Sequence, residues 1–351
     1  MGCVTMKVLM TPFVENPYQS ILKEKLEDRN IEVASEKFIP GYKLFLEVLS
    51  ECPDVIHLNW VDRFYITTDD VLWKNLAAGV FFSFNLILVS FFTRIVWTAH
   101  NKHNHEEKSP RLDWIMRKFV FWISDSVQVW EKNSKRELCK YLNVSDEKII
   151  QIPHGNYLPV HPEENLPSQE NARKELNLEM KSKIILFFGN IRPYKQVPLL
   201  AEKFEELKDD NSKLLIVGRA RQQETKNKLS TIAEKSEDIE FIEGFIDEND
   251  VPLYFRASDI VALPFRDIFN SGSIIMAMSM GRAVLTPKIK IINSVVPNSN
   301  ILYENISEGM KRLFSEDRKN MRKIGDQNLE HAKLENNWNE ITDKTVKMYR
   351  A

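Results

Sequence analysis

The sequence predicts an α/β protein built from two doubly wound, largely parallel sheets, and three observations carry that expectation. The chain has 351 residues, which is two domains more readily than one at about 100–200 residues per domain. Short apolar runs alternate with stretches of helical period, the order that yields parallel strands joined by crossover helices. The alternation stops at a polar, Pro-rich stretch, residues 158–172 (LPVHPEENLPSQENA), and then restarts.

In the first half, residues 7–13 read as a strand and 19–28 as a helix. Strands follow at 31–35, 54–58, 94–98, 127–130 and 148–152, with a helix at 134–141. The stretch 158–172 reads as the interdomain linker, because Pro and clustered polar residues punctuate regular structure. Beyond it, strands are expected at 183–188, 213–217, 239–242, 259–263 and 284–287. Helices are expected at 197–208, 222–235, 251–257 and 273–280, and the tail, 317–349, reads as charged helix. Ligands of such sheets bind beyond the carboxyl ends of the strands, so residues just past each strand are the site candidates.

Composition narrows the class. Apolar residues are 43% and charged residues 28%, an ordinary globular balance that excludes disorder. The net charge of −2 argues against a nucleic-acid binder driven by bulk charge. Cys3, Cys52 and Cys139 are too far apart for zinc spacing or a disulfide framework and fit a reducing cytoplasm. Residues 6–14 are too short for a secretory signal and lack its cleavage site. Myristoylation at Gly2 needs Ser or Thr where Met6 stands.

No charge occurs between Lys74 and Arg94. This segment reads as a buried core helix, as a helix lying in a membrane interface, or as a span. A span conflicts with the strand 94–98, which must pair with earlier strands of its sheet. The next stretch sets Arg111, Arg117 and Lys118 among Trp114, Met116, Phe119 and Trp122, the mixture expected near anionic headgroups. It also fits an ordinary amphipathic helix.

Three clusters follow strands. In the first, a strand ends at Gly189-Asn190, and Arg192 and Lys195 come next, a fork donor and a point charge suited to a diphosphate. In the second, Asp267, Asn270, Ser271, Gly272 and Ser273 precede a helix, whose free N–H groups and dipole favour an anion. The third is His100, His103, His105 and Glu106. Its spacing matches no metal motif, so no metal is expected, and it reads as a sugar-binding and proton-transfer loop beside Trp60 and Trp97.

In this order the clusters resemble the two-domain GT-B glycosyltransferases, nearest to glycosyltransferase family 4. FFGNIRPYK (187–195) is similar to the family's donor-phosphate segment, with Lys195 on the family Lys and Asn190 where an Arg usually stands, Arg192 replacing it. LLIVGRA (214–220) resembles the next strand, ending at Gly218, and GFIDENDVPLYFRASDIVALPF (244–265), with Phe245 and Ile246, the run that contains the base-recognition loop and leads to the donor loop. WTAHN (97–101) is similar to the strand end whose His, here His100, faces the transferred sugar, and IPHGNY, with His154, stands at the hinge. One departure is clear: the two carboxylates of the E-x7-E motif fall on Ile268 and Met276, and Asp267 is the nearest substitute.

The resemblance implies two Rossmann-like domains facing across a cleft, 1–158 for the acceptor and 159–335 for the nucleotide sugar, with a terminal helix, 336–351, packing back on the first. It implies sugar transfer from a nucleotide diphosphate sugar to a glycan or polyprenyl-linked acceptor, in surface polysaccharide or glycolipid assembly. Expected donor-binding residues are Gly189, Asn190, Arg192, Lys195, Gly218, Phe245, Ile246, Asn270, Ser271, Gly272 and Ser273. Asn59, Trp60 and His154 are expected on the acceptor, and His100, His105, Glu106 and Asp267 in catalysis. No cofactor, metal or nucleic acid is expected. The location is cytoplasmic, peripheral on the inner face of the plasma membrane. The missing carboxylates keep a non-catalytic partner subunit as the alternative, beside a nucleotide-sugar epimerase.

Overall fold

A computed structural model of the chain describes residues 6–14, 16–35, 39–104 and 108–351. It divides into two units between Gly155 and Asn156 and between Asn337 and Trp338, so the last helix belongs to the first unit. The expected breaks stood after 158 and 335. Trp338 sets the actual position: its ring lies where a β-carbon on Gly155 would sit, 2.1 Å from that point, so only glycine fits beneath it.

The first unit carries a parallel six-stranded sheet in the order β2-β1-β3-β4-β5-β6. Its strands are β1 (Met6–Thr11), β2 (Ile31–Ser35), β3 (Val55–Leu58), β4 (Arg94–Thr98), β5 (Ser126–Val129) and β6 (Ile149–Gln151). The helices are α1 (Pro17–Glu27), α2 (Leu44–Glu51), α3 (Leu72–Val89), α4 (Pro110–Ile123) and α5 (Lys132–Leu142). Asn16 caps α1 by accepting from the Gln19 N–H, with Pro17 in the first turn, where a missing N–H costs nothing.

In the second unit the helices are α6 (Gln169–Glu175), α7 (Val197–Leu207), α8 (Gln223–Ala233), α9 (Val251–Ala257), α10 (Gly272–Ser279), α11 (Lys290–Asn293), α12 (Ile306–Ser315) and α13 (Arg318–Glu335). Strands β7 (Lys183–Phe188), β8 (Ser212–Val217), β9 (Ile239–Ile242), β10 (Ile260–Ala262), β11 (Ala283–Pro287) and β12 (Ile301–Tyr303) form a parallel sheet in the order β12-β11-β10-β7-β8-β9. Helices cover both faces of such a sheet, so its strands read as unbroken apolar runs. Ile184, Ile185, Leu186 and Phe187 of β7 are all fully buried, each contributing about 1.5–3 kcal/mol of transfer free energy.

Two expectations are corrected. The stretch 158–172, expected as the interdomain linker, lies within the second unit and runs into α6, which Ser168 caps; Arg173 of that helix is fully buried, donating to Asp259 Oδ2 at 2.7 Å and to the Ala257 carbonyl. The tail is two helices, because α13 ends at Asn336 and α14 (Trp338–Arg350) returns to the first unit. There Arg29 holds α14 through Asp343 at 2.8 Å and the Asn339 carbonyl. The uncharged segment forms α3, of which only a third is buried, so a wholly buried core helix is not what forms.

Candidate active site

In the second unit, three adjacent strands end in glycines with left-handed φ: Gly189 after β7 (+119°), Gly218 after β8 (+143°) and Gly244 near the end of β9 (+146°). Side chains rarely adopt these angles. At Gly218 the constraint is also steric, since a β-carbon there would lie 2.0 Å from the Gly189 carbonyl oxygen. The carboxyl edge of the sheet is thereby stripped of side chains, and backbone is open to a ligand.

Lys195 projects onto this edge. It sits in a short turn, Pro193–Lys195, before α7. The left-handed Gln196, φ +47°, reverses the chain into the helix. A β-carbon built on Gly189 would lie 3.6 Å from Lys195 Nζ and 3.9 Å from Ser273 Oγ. Two clusters separated by almost eighty residues in sequence therefore converge on one glycine. Lys195 is 7% exposed and its ammonium makes no hydrogen bond or ion pair among the described residues. Burial, then the neighbouring Arg192 charge, pushes its pKa down to about 8.

Ser271 caps α10, its hydroxyl accepting from the Ile274 N–H at 3.1 Å, and Gly272 opens the helix. The remaining first-turn N–H groups have no partner within the helix. Of the other donor candidates, Arg192, Asn270 and Ile246 are half-buried, Asn190 is exposed, and Phe245 is 88% exposed beyond Gly244. Asp267 is exposed on the loop before α10. Ile268, where a family carboxylate would stand, is packed into the core, and Met276 lies against it. These apolar side chains continue the hydrophobic cluster and leave no carboxylate at either position.

The first unit builds an aromatic site at the ends of β3 and β4. His100 stacks on Trp60 with centroids 4.2 Å apart and planes 9° from parallel. Trp60 is held at φ +26°, a strained position for a bulky residue of the kind that clusters at functional sites. Asn59 Oδ1 accepts from His100 Nε2 at 2.7 Å, and its amide donates to the His57 carbonyl, which fixes both orientations. Trp130 and Tyr18 pack edge-on to His100, and Tyr18 lies 4.7 Å from His154. His154 Nδ1 donates to the Gly155 carbonyl at 2.6 Å. Burial holds His100 well below the ordinary imidazole range and His154 at about 4. Both rings are neutral at pH 7.

Asn59, Trp60, His100 and His154 are thus brought together as expected, with Tyr18 and Trp130 as members that sequence reading missed. Trp130 directly follows β5, the signal that could have found it. Trp97 is corrected: it is a core side chain, 1% exposed, in a strand buried from Ile95 to Thr98. His103 binds the Asn104 carbonyl instead of joining the ring cluster. His105 and Glu106 lie outside the described residues. Among the described residues no three His, Cys, Asp or Glu side chains converge as a metal set would.

Residues 182–315 match the family "Glycosyl transferases group 1". Over 294 residues the chain is 25% identical to a GDP-mannose:glycolipid 4-beta-D-mannosyltransferase of Xanthomonas campestris pv. campestris, covering 82% of this chain and 76% of that protein. Among solved structures, sucrose-phosphate synthase from Thermosynechococcus elongatus is similar with TM-score 0.76 and 16% identity over 98% of both chains. HepE of Anabaena, in complex with UDP-glucose, is similar with TM-score 0.72 and 14% identity over 98% of this chain and 99% of that one. Both likenesses concern the fold.

Proposed function

We propose a donor and an acceptor for this chain, which is a glycosyltransferase of the GT-B fold with a glycosyl transferases group 1 domain at residues 182–315. The donor is a nucleoside diphosphate sugar held by the second unit. The acceptor is a glycan or lipid-linked glycan held by the first. The observation that carries the donor assignment is the buried Lys195 ammonium without a counter-charge, beside Gly189 and Ser273. A buried unpaired cation is costly, and a diphosphate offsets that cost. The Xanthomonas relative, named for GDP-mannose and a glycolipid, supports this pairing of substrate classes.

In the transfer, the bond between the anomeric carbon and the diphosphate oxygen breaks as the acceptor hydroxyl oxygen bonds to that carbon. Negative charge grows on the leaving diphosphate. Lys195, Arg192 and the N–H groups opening α10 are fixed where that charge develops, which is where preorganised positive groups lower a barrier. The reading gives this task to side chains and backbone, with no metal or further cofactor. Phe245 offers an exposed ring for the base. The acceptor proton goes to a base if the anomeric configuration inverts, and the reading assigns that role to His100. His105, Glu106 and Asp267 stay as further candidates. If configuration is retained, His100 orients the sugar. We place the enzyme in the cytoplasm, on lipid-linked acceptors.

The test is a thermal-shift screen across nucleotide sugars, GDP-mannose included, followed by transfer to lipid-linked acceptors. A donor that raises the melting temperature and is consumed only with acceptor supports the reading. No shift with any nucleotide sugar would remove it.

A further inference from the structure

We infer that α3 and α4 form a docking surface for an anionic lipid bilayer, with α3 lying in the interface and not crossing it. The primary observation is that α3 is apolar on its exposed side as well as its buried one. Its buried side holds Gly79, Phe82, Leu86 and Val89 together with Asn75 and Asn85, and its outward side is an apolar stripe: Trp73, Leu76, Val80, Phe84, Ile87 and, just past the helix, Phe91. These positions follow the helical period, so they share one face. A surface helix of a soluble protein ordinarily turns a polar face outward.

Hydrogen bonds fix this orientation. Asn75 Oδ1 accepts from the Thr67 N–H at 2.8 Å, and its amide donates to Asp70 and Ser109. Asn85 Oδ1 accepts from the Phe45 N–H at 3.2 Å. The helix is thus pinned by two buried asparagines beside the packed Phe82, Leu86 and Val89, which leaves the stripe facing outward. β4, directly after it, pairs with β3 in the parallel sheet, which leaves no chain for a crossing.

The exposed area exceeds what a soluble surface carries. Trp73, Phe81, Phe84, Phe91 and Phe92 are each more than half exposed. At about 150–250 Å² per aromatic side chain, these five alone leave on the order of 600 Å² uncovered, and the aliphatic members add to it. The largest apolar patch of a typical monomer is about 300–600 Å² in total.

Charge selects a bilayer over a second protein. α4 packs beside α3, with Met116 and Leu112 against Gly79. Its outward positions read Arg111, Ile115, Lys118 and Trp122, cations alternating with apolar groups. Neither Arg111 nor Lys118 has a carboxylate partner among the described residues, and Lys118 lies over the Trp114 ring at 4.9 Å. Unpaired cations beside an apolar face suit phosphate headgroups above acyl chains. Arg117 is corrected from the expected headgroup set: it is buried and paired with Asp113 at 2.9 Å.

The inner side of α4 supports the chain beyond His100. Arg117 donates to the Asn101 carbonyl at 2.9 Å, and Asp113 accepts from the Asn104 N–H at 2.9 Å. A seated helix pair therefore carries part of the acceptor-side loop with it. The docking surface itself does not depend on the donor assignment.

The experiment is co-sedimentation of the full chain with phosphatidylcholine vesicles, with and without phosphatidylglycerol, beside sedimentation velocity without lipid. Wild type is expected to pellet with the anionic vesicles, and salt should weaken this. Phe81→Asp with Phe84→Asp should lower binding at least tenfold while melting and nucleotide-sugar shifts stay as in wild type, because both rings are exposed. Should that variant unfold, Arg111→Glu with Lys118→Glu, which removes no buried contact, is expected to lower binding several-fold. Wild type remaining in the supernatant with both vesicles would overturn the proposal. So would wild-type binding by the variants, or a dimer that the aspartates dissociate without any vesicle binding.

Discussion

The Tyr349 hydroxyl lies 2.7 Å from Nδ1 of His57, joining the last helix of the chain to β3 of the first unit. The other His57 nitrogen lies 2.6 Å from Thr98 Oγ1, which donates to Gln128, which in turn donates to the Tyr18 hydroxyl. This buried chain crosses three neighbouring strands and ends at the aromatic site. Tyr349→Phe removes one member and leaves an imidazole nitrogen buried without a partner. The expected loss is about 1–3 kcal/mol of unfolding free energy, read by urea denaturation. Wild-type stability would show that the last helix is held by packing alone.

Acid should destabilise the protein well before carboxylates titrate. Burial pushes His57 down to about 3, His154 to about 4, and His100 well below the ordinary value of 6.5. Unfolded imidazoles bind protons near pH 6.5 and these folded ones do not, so the unfolded state gains protons first as pH falls. The stability from keeping the rings neutral is present above pH 6.5 and declines from there toward about 4. Melting temperature measured from pH 7.5 to 4.5 should drop steadily below 6.5, and His154→Gln should flatten the slope. A flat profile in wild type would contradict the burial of these rings.

Gly189 and Gly218 should fail differently. At Gly218 an added β-carbon meets the Gly189 carbonyl at 2.0 Å. Gly218→Ala is therefore expected to cost several kcal/mol or prevent folding, as backbone clashes do. At Gly189 the nearest atoms are 3.6 and 3.9 Å away, so alanine fits at the cost of a strained φ, about 1–3 kcal/mol. Its methyl would stand between Lys195 and Ser273 and weaken the donor. Denaturation beside donor titration separates the two, and equal effects on both measurements would break the distinction.

The alternation of strand and helix was legible because period-2 and period-3.6 patterns leave marks in one dimension. β2, β4, β7 and β9 stand where the apolar runs placed them. Short elements were not: β12 spans three residues and α11 four, too few for a period to register. The donor cluster showed in sequence as Gly, Arg and Lys after a strand, and as Ser-Gly-Ser before a helix. That both meet at Gly189 is a tertiary fact. Tyr18, inside α1, was illegible as a site member, because a lone aromatic reads the same in a core as beside a ligand, whereas Trp130 was marked only by standing just past β5. The outward stripe of α3 was ambiguous for the opposite reason. An all-apolar run hides its polar pins, Asn75 and Asn85, until their partners are known.

Transfer should survive chelation. Lys195, Arg192 and the start of α10 are already in place to meet the charge on the leaving diphosphate. Turnover in excess EDTA is expected within twofold of the untreated enzyme. Loss of activity, restored by one divalent ion, would transfer that role to a metal.

Contact between Lys195 and the donor diphosphate is read by calorimetric titration of the nucleotide sugar into wild type and Lys195→Ala. A charge-assisted hydrogen bond contributes about 1.5–3 kcal/mol, so affinity should fall roughly ten- to a hundredfold. Melting temperature should hold, because an unpaired buried charge is removed with the side chain. In wild type the ammonium loses its proton near its depressed pKa of about 8. Affinity should therefore weaken as pH rises from 7 to 9.5, and this dependence should vanish in the variant. Wild-type affinity in Lys195→Ala, with the same pH profile, would contradict the account.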